Sequence, residues 1–154
     1  MSDLLSWNDK PEVGIIFLTI PATVFQAILK LPAGIHVWND LMARWNAEDY
    51  FLKGDAEFGP PAPIGITLDF EGIDLSNQDL DGIDLRNAEL SGSNFSGASL
   101  KRARLDCTAL TNADFSGAMV DGASFFIASH RPGQPPQGLS PKLLWFYDVY
   151  EDDV

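Results

Sequence analysis

Of 154 residues only one is cysteine, Cys107, and only two are histidine, His36 and His130. A lone thiol excludes an intramolecular disulfide framework and any zinc cluster built on cysteines. Two histidines so far apart leave little material for a His-rich metal site. Cations are scarce as well: 10 Lys and Arg stand against 22 Asp and Glu, a formal charge of −12. Binding bare nucleic acid requires clustered Lys and Arg to neutralise phosphates, so no direct nucleic-acid contact is expected. Long apolar runs are missing too. Gly14 to Leu29 gives 16 residues without a formal charge, interrupted by Pro21 and Gln26, short of the roughly 20 that span a bilayer. No basic stretch precedes that run and no small-residue cleavage pattern follows it. These absences point to a cytoplasmic protein with no membrane contact.

Catalytic signatures are equally absent. The chain holds no G-x-S-x-G elbow, phosphate-cradling loop, G-x-G-x-x-G, H-E-x-x-H or C-x-x-C. Asp79-Leu80-Asp81-Gly82 looks like the start of a calcium loop, but Ile83 stands where a third oxygen ligand belongs. Cys107 falls at a turn position with no histidine nearby in sequence, which marks an inert thiol. No enzyme, no cofactor and no metal site is expected. With 45% hydrophobic and 21% charged residues the chain can nevertheless bury a core.

What the sequence does have is a period of five. Stepping by five from Phe70 gives Leu75, Leu80, Leu85, Leu90, Phe95, Leu100, Leu105, Leu110, Phe115, Val120 and Phe125. Chance agreement over twelve steps is on the order of one in 10⁵–10⁶ for a soluble composition. Two residues before each lies a second column, small from Ala88 onward (Ala88, Ser93, Ala98, Ala103, Thr108, Ala113, Ala118, Ala123). Two residues after each stands Gly or Asn in nine of twelve cases, the residues that tolerate tight-turn geometry. Helices and strands repeat at 3.6 and 2, so neither explains the pattern. One large inward residue, one small inward residue and a turn describe one side of a square coil, with 20 residues per turn of a solenoid.

Segments such as Ala88-Glu89-Leu90-Ser91-Gly92 and Ala113-Asp114-Phe115-Ser116-Gly117 resemble the A-(D/N)-L-x-x unit of the pentapeptide-repeat family. The resemblance covers Ile66 to Phe125. It implies a mainly β fold, a right-handed quadrilateral β-helix of about three coils, over residues 66–127. Residues 1–65 read as an amino-terminal strand and helices packing on or near the solenoid: a strand over Val13 to Thr19, a helix over Ala22 to Leu31, a break at Pro32-Ala33-Gly34, and a second helix over Val37 to Leu52. Residues 128–154 read as a loop and a short capping helix from Ser140-Pro141. Gln78 places a polar side chain in the small inward column, so the first coil is expected to be irregular and to meet the amino-terminal segment.

The charges fall in bands. The first coil carries Asp69, Glu71, Asp74, Asp79, Asp81 and Asp84 with no cation. The second carries Arg86, Lys101, Arg102 and Arg104 against Glu89, and the third Asp106, Asp114 and Asp121. Six carboxylates in twenty residues suit a basic partner protein, which such a small acidic module would inhibit. Leu143, Leu144, Trp145, Phe146 and Tyr150 cluster near the carboxy terminus. They are expected to cap the solenoid end and to make a homodimer contact. Two alternatives stand beside this reading: an architectural subunit held by apolar flanks and, by the family resemblance, a DNA mimic acting on DNA gyrase. Against the last, three coils at roughly 4.8 Å span only ~14 Å.

Overall fold

The computed structural model describes residues 16–45 and 64–144. Strand β1 (Ile16–Pro21) leads into helix α1 (Ala22–Leu29) and helix α2 (Gly34–Trp45); strands β2 (Ile64–Asp69) and β3 (Ala88–Glu89) follow. All three strands pair in parallel in the order β1-β2-β3. Pro21, with φ −77° and ψ 155°, ends β1 and caps α1. The expected first strand and helix are therefore present: the strand runs two residues further, to Pro21, its expected start at Val13 lying outside the described residues, and the helix is two residues shorter. Pro32-Ala33-Gly34 makes the turn between the helices: Ala33 takes φ 55°, and a Cβ on Gly34 would lie 2.3 Å from the Ile28 carbonyl oxygen. The second helix thus starts three residues earlier than its sequence pattern suggests, and its expected end at Leu52 lies outside the described residues.

From Asp69 onward the chain winds with a period of 20. Parallel bridges join Asp74 to Asn94, Asp79 to Ser99, Asp84 to Arg104, and then Asn94 to Asp114, Ser99 to Met119 and Arg104 to Ser124. Each square coil has four sides, which in the first coil are 66–70, 71–75, 76–80 and 81–85. The N–H groups of Leu75, Leu80 and Leu85 donate to the Asn94, Ser99 and Arg104 carbonyls at 2.8 Å each. Asn94, Ser99 and Arg104 donate back to Ile73, Gln78 and Ile83 at 2.8, 2.9 and 2.8 Å.

The corners explain the Gly/Asn column. Every fifth residue from Gly72 to Ile127 has positive φ, including Arg102 at 57°, Cys107 at 58° and Ile127 at 56°. The second central residue of a type II turn requires this region, which glycine and asparagine enter with least strain. Where the column departs from them, the ladder on either side holds the strained conformation.

The core is one cluster running from the helices through the stack. Leu75, Leu80, Leu85, Leu90, Leu100, Leu105 and Leu110 are buried in it. Phe95 stacks on Phe115 with ring centroids 4.8 Å apart and 12° between planes. Those two residues stand 20 apart in sequence. At the amino-terminal end Phe25 stacks on Phe70 at 4.6 Å, and Trp38 meets both rings. At the other end the ladder continues past residue 127: Ser129 bridges Ala109, and Gln137 bridges Asp114. Three residues are inserted before that last rung, where register alone would place residue 134. Gly138 lies so close to Phe115 that a Cβ would come within 2.6 Å of its backbone. Among the described residues, no helix is long and apolar enough to cross a membrane.

Candidate docking surface

The acidic residues of the first coil divide by what they bond. Asp74 and Asp79 are exposed and accept the N–H two residues on, from Ser76 at 3.0 Å and Asp81 at 3.2 Å. Glu89, Asn94 and Asp114 do the same for Ser91, Ser96 and Ser116. The acid one position before the large apolar residue is thus a turn cap. For Asp74 the Ser76 amide, with its hydroxyl, holds the carboxyl below the usual carboxylate range. For Asp114 the Ser116 hydroxyl and then its amide do so.

Asp81 sits on the other side of its turn and ties two coils together. It accepts from the Ser99 hydroxyl and from the Lys101 amide at 3.0 Å. The Ser99 bond, outweighing desolvation, lowers its pKa, and the Lys101 amide and the Lys101 and Arg102 charges add to the effect. Asp106 repeats the device with Ser124 and the Phe126 amide. An Asp followed by Ser 18 residues later is visible in the sequence as Asp81…Ser99 and Asp106…Ser124 once the 20-residue register is known.

Asp84 departs most from the expected acidic surface. It is 6% exposed, and Arg86 grips it through Nε at 2.9 and 3.1 Å and Nη2 at 2.7 Å. Arg104 lies 3.9 Å away. Its charge is consumed inside the wall, since a buried carboxylate needs paired donors. The surface charge of the first coil is therefore carried by Asp69, Glu71, Asp74 and Asp79, all exposed, with Asp81 half-buried beside them.

Helix α2 covers the fourth side of this coil in an unexpected way. Trp38 Nε1 donates to the Asp84 carbonyl at 2.6 Å, and Asn39 accepts from the Asp84 amide at 2.8 Å. Asn39 Nδ2 also donates to the Gly82 carbonyl at 2.8 Å. The Asp84 amide and carbonyl are the groups that a preceding coil would engage, because the equivalent Arg104 groups bond Ile83 and Leu85 below. Two side chains thus stand in for a missing backbone rung. The stripe of Trp38, Leu41, Met42 and Trp45 at helical spacing marks a core face in the sequence, but nothing there distinguishes Trp38 and Asn39 as edge caps.

The third side of the same coil is different. Between it and the α1–α2 turn lies a cleft of about 470 Å³, lined by Leu29, Ala33, Ile35, His36, Gln78 and Asp81 among others. Gln78, expected to point inward, is exposed and faces this cleft. Among the described residues no coil underlies that corner, and the Gln78 side chain is exposed there. Of the carboxy-terminal residues, Leu143, the last residue of the 3₁₀ turn Pro141–Leu143, is exposed at 38%, and Leu144 is buried. Trp145, Phe146 and Tyr150 lie outside the described residues. Among the described residues no group of three or more His, Cys, Asp or Glu is arranged to hold a metal ion.

Residues 69–106 match the family model for pentapeptide repeats, in eight copies. No curated protein matches the chain. Among solved structures, a pentapeptide repeat protein from Nostoc Pcc 7120 matches at 26% identity over 47% of this chain and 74% of its own, with a TM-score of 0.24. Five-residue units, positive φ at every corner and a ladder of period 20 coincide with the matched segment. Residues 69–106 thus carry the pentapeptide repeats of that family.

Proposed function

We propose that this protein is a non-catalytic interaction module whose acidic first coil docks a basic partner protein and inhibits it. The observation that supports this most is the row of four exposed carboxylates, Asp69, Glu71, Asp74 and Asp79, on a coil with no cation of its own. Rigid placement strengthens the case. Turn bonds at Asp74 and Asp79 fix two of the carboxylates at regular corners, so a partner's Lys and Arg meet an ordered field and need not organise it.

The test is capture from cytosol at low and at moderate salt, followed by the triple change Asp69→Asn, Asp74→Asn and Asp79→Asn. A basic protein that salt releases and the variant fails to hold supports the reading. Equal capture by the variant at low salt overturns it. An architectural subunit is the second reading, favoured by Val24, Leu31 and Val37, which are exposed on and beside the helices. It predicts salt-resistant association. DNA mimicry toward DNA gyrase fits less well. The first-side stack, from β1 to Ser129, has five layers, which at roughly 4.8 Å each step rise only ~19 Å.

A further inference from the structure

The fourth and third sides of the first coil present the same backbone groups to the amino-terminal end, yet only one set is filled. On the fourth side, α2 supplies an acceptor to the Asp84 amide and a donor to its carbonyl. On the third side, the equivalent groups are the Asp79 amide and carbonyl, because Ser99 one coil on uses its own to bond Gln78 and Leu80. Among the described residues nothing pairs with these two groups of Asp79. They open onto the cleft whose opposite wall is Leu29, Ala33 and Ile35.

We propose that this cleft binds an extended, basic segment of the partner protein, which adds a rung beneath Gln78-Asp79-Leu80. The inference rests on the docking role proposed above and places it at one site. Three features select that occupant. The unfilled groups match a β-strand edge, which backbone alone can pair without a particular side chain. The helix wall offers apolar surface for the side chains of one strand face. The rim holds Asp79 and Asp81, so the other residues of such a segment are best Lys or Arg. A helix meets such groups only through particular side chains, as α2 does at Asp84, since its own backbone bonds are already made.

The experiment uses the whole protein and a fluorescein-labelled decapeptide of alternating Val and Lys, read by anisotropy. A second peptide carries the same side chains but is N-methylated at alternate residues, on both possible edges in turn. The expected result is binding of the first peptide and a loss of about tenfold or more on methylating the paired edge, the size of one or two hydrogen bonds. Hydrogen exchange at the Asp79 amide, followed by NMR on the unmodified protein, should slow when the peptide is bound. Asp79→Pro, which removes that amide and with it the bond to a peptide carbonyl, should weaken binding of the unmethylated peptide well beyond the effect of Asp79→Asn, which keeps the amide. Equal binding of all peptides, with Asp79 exchange unchanged, overturns the strand site while leaving charge-driven docking on the outer carboxylates intact. No binding of any peptide, alongside salt-sensitive capture of a basic protein from cytosol, also overturns the strand site alone. Loss of that capture as well defeats the docking reading itself.

Discussion

Replacing Asn39 with alanine removes one acceptor from the Asp84 amide and one donor from the Gly82 carbonyl, both at 2.8 Å. The pair is part-buried under α2, so water reaches the orphaned groups imperfectly. An unsatisfied buried backbone group costs about 1–3 kcal/mol, and partial hydration brings the two together to roughly 2 kcal/mol. For a chain of this size that corresponds to a fall of about 4–8 °C in Tm. Asn39→Asp gives a sharper signature. Ionised, it still accepts from Asp84 but sets a negative oxygen against the Gly82 carbonyl; protonated, it restores the donor. Its folded pKa is therefore raised, and the stability it contributes is present at low pH and lost as pH rises through that value. Urea unfolding should place Asn39→Asp nearer the wild type at pH 4 than at pH 7, relative to Asn39→Ala at each pH. A change below about 0.5 kcal/mol for alanine, together with no pH effect for aspartate, would refute the idea that Asn39 substitutes for a rung.

Phe115→Ala removes a ring that stacks on Phe95 and meets Phe125 edge-on; a loss of about 3–5 kcal/mol is expected in chemical denaturation. Cys107→Asn should raise stability by about 0.5–1 kcal/mol by relieving the left-handed strain of an exposed corner, because asparagine enters that region more readily. A lower Tm for that variant would show that the thiol makes a contact worth more than the strain. Acid should weaken the fold: Asp74, Asp81 and Asp114 are held below their ordinary value of about 3.9. A lowered carboxyl contributes stability above the unfolded pKa and loses it as pH falls through the folded one. The midpoint of urea unfolding should thus drop as pH is taken below about 4, and less so in Asp81→Asn.

The five-residue period made the solenoid legible because each coil repeats the same three demands: a large side chain inward, a small one beside it, and a corner that tolerates positive φ. Phe95 on Phe115 follows from that period alone. What the period could not convey is how the stack ends. Trp38 and Asn39 satisfy a coil edge from a helix, and only tertiary placement, not helical spacing, reveals that Asn39 faces Gly82 and Asp84. The three-residue insertion before Gln137 is likewise invisible, since the Pro and Gly of 131–138 read as loop whether or not a rung follows. Asp84 and Asp74 stand in the same column and look alike in sequence. Arg86 two residues on, with Arg104 one coil above, turns the first into an internal ion pair.

That division also makes charge and fold separable in this protein. The turn-capping carboxylate is used through one oxygen, which accepts a single backbone N–H, and an asparagine already does the same job in the next coil. Asn94 Oδ1 takes the Ser96 amide at 3.0 Å, the distance at which Asp74 takes that of Ser76. Asp74→Asn and Asp79→Asn therefore keep the corner while removing two of the coil's four exposed carboxylates, so a loss of partner binding in these variants reports on electrostatics and not on unfolding. Asp84→Asn would confuse the two, because Arg86 would keep its charge in a wall built to neutralise it. The acidic character of the first coil is thus a surface property carried by residues whose turn bond an uncharged asparagine also makes.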